Sequence, residues 1–340
     1  MEDTAPADLA GVPQPPMPDV PAEESLHPPI GAGPAAPPVP RRPAWRTLAR
    51  PQTLVLVAAP VAVTLALLVA HGDALLPLAA ALTLLAVLLT QTGANMLDAY
   101  LEIERARHSS WLAGTVDHAG HPHALGMQPL SVLRASIALI ALGGCAGIPL
   151  ILLGGWQLAA LGVVGLLAAF LYSATSYAIK RLPAGELPIF FALGPGLTLA
   201  TAFAQRQRPT LDVFLLGCAL GLLATAVVEL ARLRNAALGR VGGGTGRLRV
   251  GRWLTTLSIV GAYTCVLIAA LTSVPAMGAI FAFFSLPMGL VALTGALSVR
   301  SAIVARLAAR DALRAYLLFA GLLLLGILAV PAALSLWQAL

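Results

Sequence analysis

Long uninterrupted runs of apolar residues alternate with short polar connections along most of the chain. Each run has roughly 18 or more residues, the length that an α-helix needs to cross the hydrocarbon core of a bilayer. Backbone N–H and C=O groups find no water there, so a spanning segment of this kind is expected to be helical. The nine segments are approximately Thr53 to Ala70, Leu75 to Met96, Val132 to Leu153, Leu158 to Ile179, Leu187 to Ala204, Leu211 to Leu230, Leu254 to Thr272, Val274 to Leu297 and Ala315 to Leu336.

The pattern predicts an all-α integral membrane protein with nine transmembrane helices in residues 41 to 340. Residues 1 to 40 differ, because they are rich in proline, alanine and acidic residues and show no apolar periodicity. Such a segment buries too little apolar surface to fold, so we predict a disordered tail. It has no apolar stretch of signal-peptide length, and nothing in it predicts cleavage.

Charge indicates how the chain is oriented. Hydrophobic residues make up 58% of the sequence and charged residues 11%, about half the charged share of a soluble domain. If the amino terminus is cytoplasmic, all of the 21 lysine and arginine residues except Arg206 and Arg208 fall on the cytoplasmic side. This asymmetry predicts a multi-pass protein of the cell membrane in that orientation. The net charge of +6 is explained by topology and contact with anionic lipid, without any nucleic-acid partner.

The stretch QTGANMLDAYLEIER, residues 91 to 105, ends an apolar run in polar and acidic side chains. Asn95, Asp98 and Glu102 fall where a membrane helix would meet the lipid headgroups. Asp98 and Glu102 are four residues apart, so both project from the same side of a helix. Acids at the edge of a membrane segment are expensive to place there, and these two could cap the helix end or serve a function.

Four stretches together resemble the UbiA superfamily of membrane prenyltransferases, in particular the 1,4-dihydroxy-2-naphthoate prenyltransferases of menaquinone synthesis. LARPQTLVLVAAPV is similar to the start of that family's first helix, with a proline at Pro60. The stretch around Asn95 resembles its first aspartate-rich motif. LYSATSYAIKRLPAGELPIFFALGPG and GLLATAVVELARLRNAALGR resemble two later motifs in matching order. The resemblance covers roughly residues 45 to 335.

The resemblance implies a nine-helix UbiA-type bundle around a lipid-accessible cavity. Its members transfer a polyprenyl group from polyprenyl diphosphate to an aromatic acceptor, and carboxylates hold the Mg²⁺ that binds the diphosphate. Mg²⁺ prefers hard oxygen ligands and shares its coordination shell with substrate phosphates. Carried over by position, the motifs assign these roles: metal binding and catalysis to Asp98 and Glu102, diphosphate binding to Asn95, Lys180, Arg234 and Asn235, and the prenyl or acceptor pocket to Tyr100, Tyr172 and Glu186.

The sequence also departs from the family pattern. In the first motif Ala99 stands where the family has its first aspartate, and Asp98 lies one position earlier. A shift of one residue turns a side chain by about 100° around a helix. In the second motif Asn235 and Gly239 occupy both aspartate positions, so that motif offers no carboxylate. Such a loss is expected to weaken the binding of Mg²⁺ and diphosphate.

Other interpretations stay open for these residues. Lys180 could be an interfacial lysine, Tyr100 and Tyr172 interfacial aromatics, and Glu186 a carboxylate at a helix start. The loop DHAGHPH holds Asp117, His118, His121 and His123 without a recognised ligand spacing, so a solvated loop is favoured over a zinc site. The three cysteines are expected to be core residues.

A non-catalytic member of this fold, binding an isoprenoid lipid or quinone or serving as a membrane subunit of a complex, is the alternative function. A transporter is a weaker alternative, because the sequence shows no repeat of broken helices at matching places.

The charge asymmetry generates a topology prediction. In a variant whose native cysteines are replaced by serine, Arg206→Cys should react with an impermeant maleimide on intact cells. Arg240→Cys should react only after the membrane is permeabilised, because the two loops lie on opposite sides. Labelling of both positions from the same side would contradict the nine-helix topology.

Overall fold

A computed structural model of the protein describes residues 44 to 107, 127 to 173, 185 to 237, 244 to 299 and 301 to 339. Within these ranges the regular structure is helical, as predicted, and no strand occurs. The tail at residues 1 to 40, the DHAGHPH loop and Lys180 lie outside the described residues. The helices are α1 (Ala44–Ala49), α2 (Pro51–Ala70), α3 (Pro77–Arg107), α4 (Pro129–Ser173), α5 (Leu187–Ala192), α6 (Pro195–Ala204), α7 (Leu211–Ala237), α8 (Gly244–Thr272), α9 (Leu286–Leu297) and α10 (Ala302–Ala339).

The described residues contain eight helices that are long and apolar enough to cross a membrane, compared with nine predicted segments. The difference lies in α4, whose 45 residues would extend well over twice the thickness of a hydrocarbon core at 1.5 Å per residue. Gly155 interrupts the helix with a φ of 73°, a left-handed conformation that glycine adopts without a steric penalty. The part of α4 before Gly155 therefore corresponds to the predicted segment Val132 to Leu153. The part after Gly155 corresponds to the described residues of the predicted segment Leu158 to Ile179.

Several helix boundaries differ from the prediction. Helix α3 continues to Arg107, about three turns beyond the predicted end at Met96, and α10 begins at Ala302 instead of Ala315. The segment from Leu187 to Ala204 is divided into α5 and α6, and a 3₁₀ helix at Met277–Ser285 precedes α9. Hydrophobicity marks the part of a helix that lies in lipid, so it does not detect polar turns that extend the same helix.

The core joins α2, α7, α8, α9 and α10 through residues such as Leu220, Phe319 and Leu323. A proline inside a helix leaves the carbonyl four residues earlier without its helical N–H donor. Pro60 does this to Leu56 in α2, and the buried Tyr316 hydroxyl of α10 donates to the Leu56 carbonyl at 3.3 Å. The cysteine prediction holds for Cys218, which is buried, and is wrong for Cys145, which is exposed on α4.

One end of the bundle is held by a buried carboxylate at the start of α7. Asp212, which is 2% exposed, accepts hydrogen bonds from the hydroxyls of Thr210 and Ser273 and from the Val213 N–H at 3.0 Å. His71 Nε2, just after α2, lies 3.3 Å from Asp212 Oδ2. The end of α2, the start of α7 and the end of α8 therefore meet here. We call this the Asp212 end. We call the opposite end, where α2 and α8 begin and α3 and α7 end, the basic end.

Two glycines bring α10 against the 3₁₀ helix. A Cβ at Gly326 would overlap the carbonyl of Gly278, and a Cβ at Gly278 would overlap the carbonyl of Gly326. Small residues of this kind let helix backbones approach closely in membranes. At Gly321, on the same helix, a Cβ would meet no other atom within 4 Å.

This contrast predicts that Gly326→Ala destabilises the protein whereas Gly321→Ala does not. The added methyl group at Gly326 has to push two backbones apart, and overpacking of this kind costs about 1–3 kcal/mol. Thermal unfolding of both variants in the same detergent measures the difference. Equal unfolding temperatures for the two variants would contradict the close contact between α10 and the 3₁₀ helix.

Candidate functional site

Asn95 joins helix α3 to the start of α2 at the basic end. Its Nδ2 donates to the Ala49 carbonyl and to Thr53 Oγ1, both at 2.8 Å, and its Oδ1 accepts from Gln91 Nε2 at 3.1 Å. Asn95 is 7% exposed, so these bonds satisfy a buried amide that would otherwise be costly. Asn95 therefore anchors α3 to the end of α1 and the start of α2. Its contact with diphosphate stays a prediction.

Asp98 lies one turn further along α3 and faces Arg50, the residue between α1 and α2. Arg50 Nη1 is 3.5 Å from Asp98 Oδ2, and their side chains are 38% and 15% exposed. Arg50 has a φ of 48°, which is uncommon for a residue other than glycine. Arg50 lies inside the stretch LARPQTLVLVAAPV, but no site role was predicted for it from the sequence.

Ala99, the position at which the resembled motif has its first aspartate, lies in an apolar environment. Ala99 is 6% exposed and packs with Leu48 of α1, Met96 and Val132 of α4. A carboxylate at this position would be buried in an apolar cluster. At Asp98, the helix turns the carboxylate away from that cluster and toward Arg50.

Tyr100 does not lie beside Asp98. It packs against the same apolar cluster as Ala99, next to residues of α4. Two residues along a helix correspond to a rotation of about 200°, so Tyr100 and Asp98 project from nearly opposite sides of α3. The structure therefore does not bring Tyr100 together with Asp98, and its predicted pocket role depends on a different surface of α3.

A second polar group at the basic end consists of Glu186, Glu229 and Arg232, which we call the Glu186 cluster. Arg232 Nη1 donates to Glu186 Oε1 at 2.5 Å and to Glu229 Oε2 at 3.4 Å. Glu186 precedes α5 without capping it through its side chain. Gly251 of α8 makes room for the other glutamate, because a Cβ there would lie 2.6 Å from Glu229 Oε1. Three elements thus fix this guanidinium and its two carboxylates.

Glu229 was not singled out from the sequence. It lies inside the predicted segment Leu211 to Leu230 and is 2% exposed. A carboxylate inside a membrane helix is itself a signal of function, and this signal could have identified Glu229. The second motif offers no carboxylate at the family positions, yet the fold places two glutamates on its residue Arg232.

The remaining predicted residues are described by their backbone only. Tyr172 lies in the last turn of α4, and Arg234 and Asn235 lie in the last turns of α7. Glu102 lies on α3 one turn after Asp98, so the continuous helix keeps the predicted spacing. Among the described residues, no three histidine, cysteine, aspartate or glutamate side chains converge as ligands of a metal ion.

An apolar groove of about 410 Å³ lies on α10, away from both polar groups. Gly321, Leu324, Leu325, Leu328 and Ala329 line it. This part of α10 lies toward the Asp212 end, because Gly326 contacts the 3₁₀ helix that follows α8. The groove is therefore separate from the residues that carry chemistry.

The anchoring role of Asn95 predicts a loss of stability in Asn95→Ala. The variant leaves the Ala49 carbonyl and Thr53 without their donor, at a cost of about 1–3 kcal/mol. Thr92→Ala is the matched control on α3, since the Thr92 hydroxyl donates to the Leu88 carbonyl within its own helix. Thermal unfolding should separate the two variants, and equal stability would contradict the anchor.

Comparisons with known proteins agree with the fold. The chain is 32% identical over 200 residues to a 1,4-dihydroxy-2-naphthoate octaprenyltransferase of Mycobacterium tuberculosis, covering 56% of this chain and 64% of that protein. It is 26% identical over 198 residues to the protein of the same name from Bacillus subtilis, covering 58% of this chain and 62% of that protein. The matched part thus spans slightly less than two thirds of each relative. No protein-family model matches the chain.

A solved structure, described as digeranylgeranylglyceryl phosphate synthase in membranes, matches with a TM-score of 0.50 and 14% sequence identity. The match covers 84% of this chain and 98% of that one, and at this identity it bears on the fold alone. The chain is thus similar in sequence to two naphthoate octaprenyltransferases, and its fold is similar to that of the digeranylgeranylglyceryl phosphate synthase structure.

Proposed function

We propose that this protein transfers a polyprenyl group from polyprenyl diphosphate to an aromatic quinone precursor within the membrane. The similarity to two naphthoate octaprenyltransferases supports this reaction class and a place in menaquinone synthesis. The observation that carries the proposal is the position of Asp98 at the basic end, one turn after Asn95 on α3 and 3.5 Å from Arg50. The proposal includes the cell membrane as location, with the basic end facing the cytoplasm.

Asp98 and Glu102 are the residues that we expect to hold Mg²⁺. Their carboxylates are hard oxygen donors one helical turn apart, which suits an ion that shares its shell with phosphates and water. Bound Mg²⁺ would neutralise charge on the diphosphate and so favour its departure from the prenyl carbon. Asp98 is only partly buried, so a charged substrate can approach it from the headgroup region.

Diphosphate binding is assigned to Asn95, Lys180, Arg234 and Asn235. Lys180 and Arg234 would supply positive charge, and Asn235 an amide in place of the missing carboxylate. Asn95 would hold the junction of α1 and α2 beside the diphosphate, since its amide bonds Ala49 and Thr53. Arg50 joins this set, because its guanidinium lies 3.5 Å from Asp98 and can bind a phosphate oxygen directly.

The prenyl and acceptor pocket is assigned to Tyr100, Tyr172 and Glu186. Aromatic ring faces attract cations, so a tyrosine beside the reacting carbon would stabilise an allylic cation. Glu186 is the acidic member of this set, and it is buried next to Arg232. Its contacts support a position within the site.

The proposal predicts that Asp98→Asn lowers prenyl transfer about 100-fold or more, because removing one preorganised electrostatic group commonly costs that much. Asparagine keeps the size of the side chain and removes its charge. Asp311→Asn is the matched control, because it removes an aspartate from another ion pair, 3.2 Å from Arg314. Initial rates of purified protein with polyprenyl diphosphate, 1,4-dihydroxy-2-naphthoate and Mg²⁺ measure both variants.

Full activity in Asp98→Asn would contradict the assignment of the first motif. An absence of turnover in the wild-type protein would instead favour the non-catalytic alternative. The double variant Asn235→Asp and Gly239→Asp then tests the second motif, since it restores both family carboxylates. Metal-dependent diphosphate binding that appears only in this variant would attribute the inactivity to the loss of those acids.

A further inference from the structure

One oxygen of the Glu186 carboxylate accepts no hydrogen bond from the residues that the structure describes. Glu186 is 7% exposed, and its Oε1 accepts from Arg232 at 2.5 Å. Its Oε2 is buried and has no hydrogen-bond partner in the described structure. Leaving a buried acceptor unsatisfied costs about 1–3 kcal/mol, and more for a charged group. Such a cost is tolerated where a ligand completes the bond.

The surroundings hold this carboxylate in place. Helix α5 begins directly after Glu186, and the Phe190 N–H donates to the Glu186 carbonyl at 2.9 Å. At the end of α5, Gly194 approaches Gly221 of α7 so closely that a Cβ would lie 2.6 Å from its Cα. Arg232 of α7 donates hydrogen bonds from its Nη1 to both Glu186 and Glu229. The unsatisfied oxygen is therefore fixed by α5 and α7 and does not depend on a mobile side chain.

The chemistry of a carboxylate selects between the two substrates of the proposed reaction. An ionised carboxylate only accepts hydrogen bonds. A diphosphate offers acceptors and negative charge, so Glu186 repels it. A hydroxylated aromatic ring offers an O–H donor. If the ring also carries a carboxylate, that group is repelled too, and the hydroxyl side of the ring is the side that suits Glu186.

We propose that Glu186 Oε2 binds a hydroxyl group of the aromatic acceptor and thereby selects and orients it. This inference rests on the proposed function and gives Glu186 a specific role within it. A hydrogen bond from the ring hydroxyl to a carboxylate also increases the electron density of the ring, which favours its attack on an allylic carbon. Glu186 is then a specificity-determining residue, and Arg232 positions it through the bond to Oε1.

Equilibrium binding tests the inference without requiring turnover. The full chain in nanodiscs is titrated calorimetrically with 1,4-dihydroxy-2-naphthoate and with its 1,4-dimethoxy analogue, which lacks the donors. We expect the wild-type protein to prefer the dihydroxy compound by about 10- to 100-fold, the range of a hydrogen bond to a charged group. Glu186→Gln should remove most of this preference. It should not weaken the binding of polyprenyl diphosphate, because the substitution removes a carboxylate that repels the diphosphate.

Glu229→Gln is the matched control, since it takes the other carboxylate from the same guanidinium. It should retain the preference, and unfolding temperatures show whether each variant is folded. If Glu186→Gln does not fold, Glu186→Asp keeps the charge, withdraws the oxygen by one methylene and should reduce the preference. Equal loss of preference in Glu229→Gln, a preference that persists in folded Glu186 variants, or no preference in the wild type would overturn the inference. Absence of turnover with the preference intact would count against the proposed reaction only.

Discussion

Inside a bilayer, a polar group without a partner in the protein has no water to bond to, and this constraint governs the polar contacts of the bundle. Threonine hydroxyls bond to carbonyls of their own helices, as Thr64 and Thr225 do. The carbonyl of Leu56, which Pro60 deprives of its helical donor, is bonded by the hydroxyl of Tyr316 from another helix. These contacts let a chain with prolines inside its helices remain helical.

The same constraint concentrates charge at the two ends of the bundle. At one end Asp212 is surrounded by Thr210, Ser273 and His71, so its carboxylate is fully used in joining helices. At the other end Asp98 is partly exposed and pairs with Arg50, and Glu186 Oε2 has no hydrogen-bond partner among the described residues. The Asp212 end therefore stabilises the fold, and the basic end is the one for which we propose a role in ligand binding.

Small residues decide how closely the helices approach. Gly326 and Gly278 bring α10 onto the 3₁₀ helix, while Gly93 and Gly143 bring α3 onto the first part of α4. Without a hydrophobic driving force between helices in lipid, such contacts contribute much of the packing energy. Gly251 leaves space beside α8 for the buried carboxylate of Glu229. Packing and candidate chemistry therefore depend on the same type of residue.

The apolar runs alone determined the all-helical membrane fold and nearly every spanning segment, because helix length and hydrophobicity are local properties. The motifs likewise placed Asn95 and Asp98 on one helix, since residues a few positions apart share a face. Only the tertiary structure paired Glu186 with Arg232, 46 residues away, and placed Tyr100 away from Asp98. It also placed Gly251 of α8 against the carboxylate of Glu229. These features depend on which helices pack together and at what rotation, and a hydrophobic pattern that is apolar on nearly all sides carries no information about that rotation.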